Sequence, residues 1–155
     1  MRASGILMPV FSLPSRYGIG SFSKSAYQFV DMLKKAGQKY WQILPLCPTS
    51  YGDSPYQSFS TYAGNPYFID LDQLIEEKLL TRKECQACDF GDDPQDIDYG
   101  KLYENRFKLL RKAYERANVG EDQEFEAYRR KNAWWLDDYA LFMAVKDRFD
   151  GVAWN

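Results

Sequence analysis

The apolar and polar positions of this chain change period several times, and each change predicts an element. Residues 5–11, GILMPVF, are apolar without alternation, the pattern of a short strand covered on both faces. From Ser23 the period lengthens. Ala26, Phe29, Val30, Leu33 and Ala36 recur at spacings of three and four, which predicts an amphipathic helix with Ser23 as its N-cap, Lys34 and Lys35 in its last turn and Gly37 at its end. A second apolar run at residues 40–46 follows almost at once. Strand, helix and strand predict a βαβ unit with parallel strands and a right-handed crossover.

Further along, YFIDLDQLIEEKLL predicts an extended piece at residues 67–71 and then a helix capped by Asp72. From Asp98 the chain becomes helical, with Tyr103, Phe107, Leu110, Tyr114 and Ala117 on one stripe of a helix that stops near Gly120. A shorter helix at residues 121–131 is expected next. Residues 133–149 are apolar around much of the helical circumference, which predicts a buried helix with Trp134 and Trp135 in the core. The fold class is α/β, with a βαβ part at residues 1–72 and a mainly helical section at 73–155. Two parallel strands leave two open edges, so this plan expects further strands from a longer polypeptide.

Composition narrows the function classes. The chain has 155 residues, 45% of them hydrophobic and 27% charged, enough for a globular core. A net charge of −2 gives no general attraction for nucleic acid or an anionic membrane, so neither is an expected partner. Pro9 and Pro14 interrupt the apolar start, which is too broken for a signal-peptide core and too short for a membrane span. A cytoplasmic location is expected. The three cysteines make an odd count that cannot close a complete disulfide framework. Cys85 and Cys88 form a C-x-x-C among acidic neighbours that oppose thiolate formation, so inert thiols are expected rather than a redox pair or a zinc site. With no histidine, Ser-His-Asp and Cys-His machinery is excluded within this chain.

The chemistry concentrates in the loops that follow the two predicted strands, residues 12–21 and 45–66. In barrels and open α/β sheets the carboxyl ends of parallel strands are where ligands bind, which makes both loops candidates by position. Loop 45–66 also has the composition of a binding surface: Tyr51, Tyr56, Phe59 and Tyr62 lie among Ser, Thr, Asp, Gln and Asn. Flat rings suit the apolar face of a sugar or base, and hydroxyl and amide groups satisfy its substituents. The same rings also suit pinning a long loop to the scaffold, a role that fits Phe59 and Tyr62 best. Pro48, Pro55 and Pro66, with Gly52 and Gly64 at the turns, limit the loop's freedom before any ligand arrives.

Three runs, SGILMPVFSLPSRYGIGSF (residues 4–22), KAGQKYWQILPLCPTSYGDSPYQSFSTYAGNPYFIDL (35–71) and WWLDDYALFMAVKDRFDGVAWN (134–155), closely resemble the N-terminal region of bacterial 4-α-glucanotransferases of the amylomaltase or disproportionating type. The resemblance covers essentially the whole chain. It implies a (β/α)8 TIM barrel with helical insertions, incomplete in this chain, acting in the cytoplasm on maltodextrins by a retaining double displacement without a cofactor or metal. By resemblance, Tyr56 stacks against the glucose at the cleavage site and Tyr51 belongs to a further glucan-contact region; Asp53, Ser54 and Gln57 match the motif as substrate-binding residues. The family's three catalytic carboxylates lie on later strands, beyond residue 155, so the resemblance implies no catalytic residue here and a chain inactive by itself. A non-catalytic glucan-binding module that uses the same loop is the alternative reading.

Overall fold

The computed structural model describes residues 2–50, 52–93, 95–149 and 151–152. Strand β1 (Gly5–Leu7) pairs in parallel with β2 (Tyr40–Gln42), Gly5 opposite Tyr40, Ile6 opposite Trp41 and Leu7 opposite Gln42. Helix α1 (Lys24–Lys35) lies between them in the chain, so the βαβ order and the parallel pairing follow the pattern of apolar positions. The Ser23 side chain accepts from the Ser25 amide, and Gly37 takes the left-handed φ of +70° just past the helix end. Phe29 of α1 meets Trp41 of β2 edge-on, with ring centroids 5.0 Å apart. The Trp41 indole N–H in turn donates to the Met8 carbonyl at 2.7 Å, so one side chain of β2 ties the helix to the residue just past β1.

The strands differ from expectation in length and in burial. Pro9 cannot donate to a ladder, and Val10–Ser12 coils into a 3-10 turn instead of extending β1. The expected coverage on both faces is also absent: Ile6, Leu7 and Tyr40 are all exposed. The sheet has two strands, and among the described residues α1 is the helix that packs on it, so most of its apolar surface has no partner.

The core lies beside the sheet. Val10, Leu13, Tyr17 and Ile19, from the segment after β1, pack with Phe68, Leu71, Leu80, Cys85, Phe90, Leu102, Leu109 and Ala113. Residues 12–21 therefore serve largely as core; the part left exposed is Ser12, Pro14, Ser15 and Arg16. Residues Pro66–Phe68 form a 3-10 turn, not the predicted extended piece, and helix α2 (Leu71–Glu76) is capped by Asp70, not Asp72. The Asp72 carboxylate is occupied elsewhere: it accepts from the Tyr17 hydroxyl at 2.7 Å, across the core edge.

Helix α3 (Arg82–Gln86) starts with a capping box between Thr81 and Glu84, and Glu84 also accepts from Arg116 at 2.7 and 2.9 Å. Cys85 is buried on this helix, and burial pushes its thiol pKa up, which suits an inert thiol. Helix α4 (Tyr99–Arg116) begins where the chain was expected to become helical, with Asp98 as its cap, but it buries Leu102, Arg106, Leu109 and Ala113. The predicted stripe stands one position further round, and Tyr103 and Tyr114 are exposed. The face turned inward carries Leu102, Leu109 and Ala113 together with Arg106, whose guanidinium reaches the carbonyls of Tyr17 and Ile69.

Helix α5 (Gln123–Arg148) is one continuous helix of 26 residues with no buried residue, where two helices and a buried second half were expected. Neither glycine nor proline occurs between Glu121 and Phe149, so nothing in the backbone ends the helix. Trp134 is 66% exposed and is not a core residue. Among the described residues no helix is long and apolar enough to cross a membrane, and no group of three His, Cys, Asp or Glu side chains is placed to hold a metal ion.

Candidate functional site

Loop 45–66 leaves the carboxyl end of β2 and is closed at its base by a hydrogen bond from the Asn65 amide to the Leu46 carbonyl, 2.8 Å. The Asn65 side chain accepts from the Tyr67 amide at 3.0 Å, and Pro66 follows at the first position of the 3-10 turn, where its missing N–H costs nothing. A second, inner closure lies nearer the tip. The Ser50 amide donates to the Gln57 carbonyl at 2.9 Å, the Asp53 amide to the Ser50 carbonyl at 3.1 Å and the Gln57 amide to the Ser54 carbonyl at 3.1 Å. The reversal between them needs two successive left-handed residues, Gly52 (φ +90°) and Asp53 (φ +55°), and aspartate is among the few non-glycine residues that adopt this conformation readily.

Within this frame the predicted residues separate into two groups. Tyr56 is 72% exposed, its ring held out from the tip, and Gln57 beside it is exposed as well. The Ser54 hydroxyl oxygen accepts from the Tyr56 amide at 3.3 Å, which fixes the backbone that carries the ring while leaving the hydroxyl proton free to donate. Asp53 faces the other way. It lines a cavity of about 10 Å³ with Pro45, Thr49, Asn65, Phe68 and Tyr99, room for about one water and not for a sugar ring. The Asp53 charge is felt there: burial first, and then this carboxylate, push Tyr67 up to about 12 and raise Tyr99. Tyr51 lies outside the described residues.

The second half of the loop turns to α5. Ser58 and Ser60 bond to nearby backbone, with Ser58 Oγ donating to the Ser60 carbonyl at 2.7 Å. Phe59 stacks on Tyr139 at 6.4 Å between centroids and contacts Phe142 at 6.0 Å; Tyr62 meets Trp134 at 4.7 Å and Trp135 at 5.8 Å. Phe59 and Tyr62 thus pin the loop to the scaffold, as their positions suggested, while Tyr56 makes no such contact among the described residues.

Comparison with known proteins gives the chain a family. The family model described as 4-alpha-glucanotransferase matches residues 8–155. The chain belongs to the 4-alpha-glucanotransferase family. It is 55% identical over 148 residues to the 4-alpha-glucanotransferase of Clostridium butyricum, covering 96% of this chain and 30% of the relative. It is 53% identical over 155 residues to that of Streptococcus pneumoniae, covering 99% of this chain and 31% of the relative. Among solved structures, the amylomaltase from Streptococcus agalactiae in complex with acarbose superposes with a TM-score of 0.90 at 44% identity, over 99% of this chain and 31% of that one. The chain therefore spans about a third of the length of the relatives it matches.

In this member of the 4-alpha-glucanotransferase family several structural partners of the loop are not visible in the apolar pattern. Asn65 announces itself only as an Asn-Pro dipeptide, a turn signal, and its closure of the loop depends on where Leu46 ends up. Tyr99 and Thr49 join Asp53 around the small cavity through tertiary packing, for which local spacing carries no signal. The aromatic surface of α5 was legible as apolar, but its role as the bed for Phe59 and Tyr62 was not.

Proposed function

We propose that this chain is the N-terminal part of a 4-α-glucanotransferase that transfers α-1,4-glucan segments between maltodextrins in the cytoplasm by retaining double displacement, and that it is inactive by itself. The observation that carries this reading is Tyr56: an aromatic ring held in the open at the tip of a doubly closed loop, in a chain of this family. An exposed ring on a backbone already ordered is suited to the apolar face of a glucose unit, since little freedom is left to lose on binding. Gln57 and the free proton of Ser54 would take sugar hydroxyls, Asp53 would order the turn beneath them, and Tyr51 would contact the glucan further along. The solved relative with acarbose supports a maltodextrin-like ligand.

On this reading β1 and β2 are the first two strands of a (β/α)8 barrel, with residues 73–155 as a mainly helical insertion. The exposed faces of Ile6, Leu7 and Tyr40 suit strands that are covered in a larger sheet. Retaining chemistry needs two carboxyl groups about 5–5.5 Å apart across the scissile bond, and these would come from later strands. The test is transfer activity. Full-length protein should convert maltotriose into glucose and longer maltodextrins, while residues 1–155 alone should not; folded full-length protein without transfer would overturn the proposal.

A further inference from the structure

Arg106 lies in the middle of α4 and is 1% exposed, the largest side chain in the fully buried set. Its two terminal nitrogens go to two different segments: Nη1 donates to the Tyr17 carbonyl at 3.5 Å and Nη2 to the Ile69 carbonyl at 2.5 Å. Tyr17 belongs to the segment after β1, closed at its base by the Gly20 amide on the Phe11 carbonyl, 2.9 Å. Ile69 follows loop 45–66, closed by Asn65 on Leu46. A third link, from the Tyr17 hydroxyl to Asp72, runs alongside.

As a source of stability this arrangement is poor. Among the described residues no carboxylate forms an ion pair with Arg106, and its Nε has no partner at all. Burial lowers its pKa to about 10, opposed by the charge of Asp70, so the side chain is still cationic at neutral pH. A leucine or methionine would fill the space without burying an underbonded cation. What those residues lack is the rigid planar fork, which holds two carbonyls at a set separation and angle.

We infer that Arg106 is a positioning residue that sets the two loops at the carboxyl ends of β1 and β2 relative to each other and thereby aims Tyr56. This rests on the function proposed above, and the experiment separates the two. In full-length protein, Arg106→Lys keeps charge and bulk but reaches one carbonyl at a time, and Arg106→Met removes the polar head. Hydrogen exchange is read at the amides of Gly20 and Asn65, which close the two loops, with the Leu109 amide inside α4 as reference. Maltotriose kinetics are measured alongside.

The expected result for Arg106→Lys is exchange about tenfold faster at Gly20 and Asn65 with Leu109 unchanged, and a KM raised about five- to tenfold with a smaller change in kcat. Arg106→Met should move the same amides further. Unchanged exchange at Gly20 and Asn65 in Arg106→Lys would overturn the inference, as would a uniform rise that includes Leu109, because that reports lost stability and not lost positioning. A wild-type KM in the same variant would overturn the aim on Tyr56. Should wild-type protein show no transfer, the proposed function fails while the exchange measurement still decides the role of Arg106.

Discussion

Tyr62 meets Trp134 edge to face, with ring centroids 4.7 Å apart and planes at 77°, and this contact fastens loop 45–66 to the middle of α5. Both rings remain more than half exposed, Tyr62 at 59% and Trp134 at 66%, so the contact acts as a clasp at the surface and not as core. A double-mutant cycle of Tyr62→Ala and Trp134→Ala, followed by urea unfolding, should give a coupling of about 0.5–1 kcal/mol, the lower part of the range for aromatic pairs because water reaches both rings. A coupling of zero would mean that Trp135 and Phe59 hold the loop without this pair.

Tyr56 predicts the opposite separation of effects. Since among the described residues its ring touches no other aromatic side chain, and it is 72% exposed, Tyr56→Ala should leave the urea midpoint unchanged while weakening maltodextrin binding by full-length protein. Burying one such ring under a sugar is worth about 1.5–3 kcal/mol, hence roughly a ten- to hundredfold weaker Kd. Calorimetry with maltotriose or a longer maltodextrin checks it, and Tyr56→Phe should retain most of the affinity.

Two glycines near the site should respond very differently to alanine. A Cβ on Gly20 would stand 2.1 Å from the Val10 carbonyl oxygen and 2.7 Å from the Leu13 amide nitrogen, backbone atoms of a buried turn that cannot step aside. Gly20→Ala should therefore destabilise by about 3 kcal/mol or more, or prevent folding. At Gly64 a Cβ meets nothing within 4 Å, and Gly64→Ala should stay within about 0.5 kcal/mol of wild type. Thermal unfolding of the two variants side by side decides this.

Glu84 sets an acid limit on the junction of α3 and α4. Hydrogen bonds from Arg116 first, and from the Thr81 hydroxyl and amide next, hold its carboxyl well below the ordinary value of 4.5. A group whose folded pKa is depressed contributes stability that is present above its unfolded pKa and lost as pH falls toward the folded one. The stability difference between wild type and Glu84→Gln should thus be full at about pH 6 and shrink steadily below about pH 4.5. Urea titrations across that range check the sign; a difference that grows on acidification would contradict it.

Cys85 should be the slowest of the three thiols to react. It is buried and its pKa is raised by burial, whereas Cys47 and Cys88 are partly accessible. Mass spectrometry after brief alkylation at neutral pH should find Cys85 unmodified while the other two carry label.

The sequence by itself determined what depends on near neighbours. Ser23 and Gly37 bound α1 because a cap and a left-handed end act within one turn, and Asp98 starts α4 for the same reason. The βαβ order, the parallel pair and the loop rich in aromatic and hydroxyl groups were also legible, since each is a matter of period or composition along the chain. Tertiary structure alone decided which face of α4 goes inside. The aromatic stripe and the buried one are a single position apart, and the buried one packs Leu102 and Leu109 among core residues far away in sequence, where the Tyr17 and Ile69 carbonyls also receive Arg106. The cap of α2 is Asp70 and not Asp72, whose carboxylate takes the Tyr17 hydroxyl across the core edge, and the fold left β1, β2 and α5 exposed where their apolar content predicted burial. An apolar pattern states that a face favours cover; whether cover is present depends on which other elements the fold brings to it.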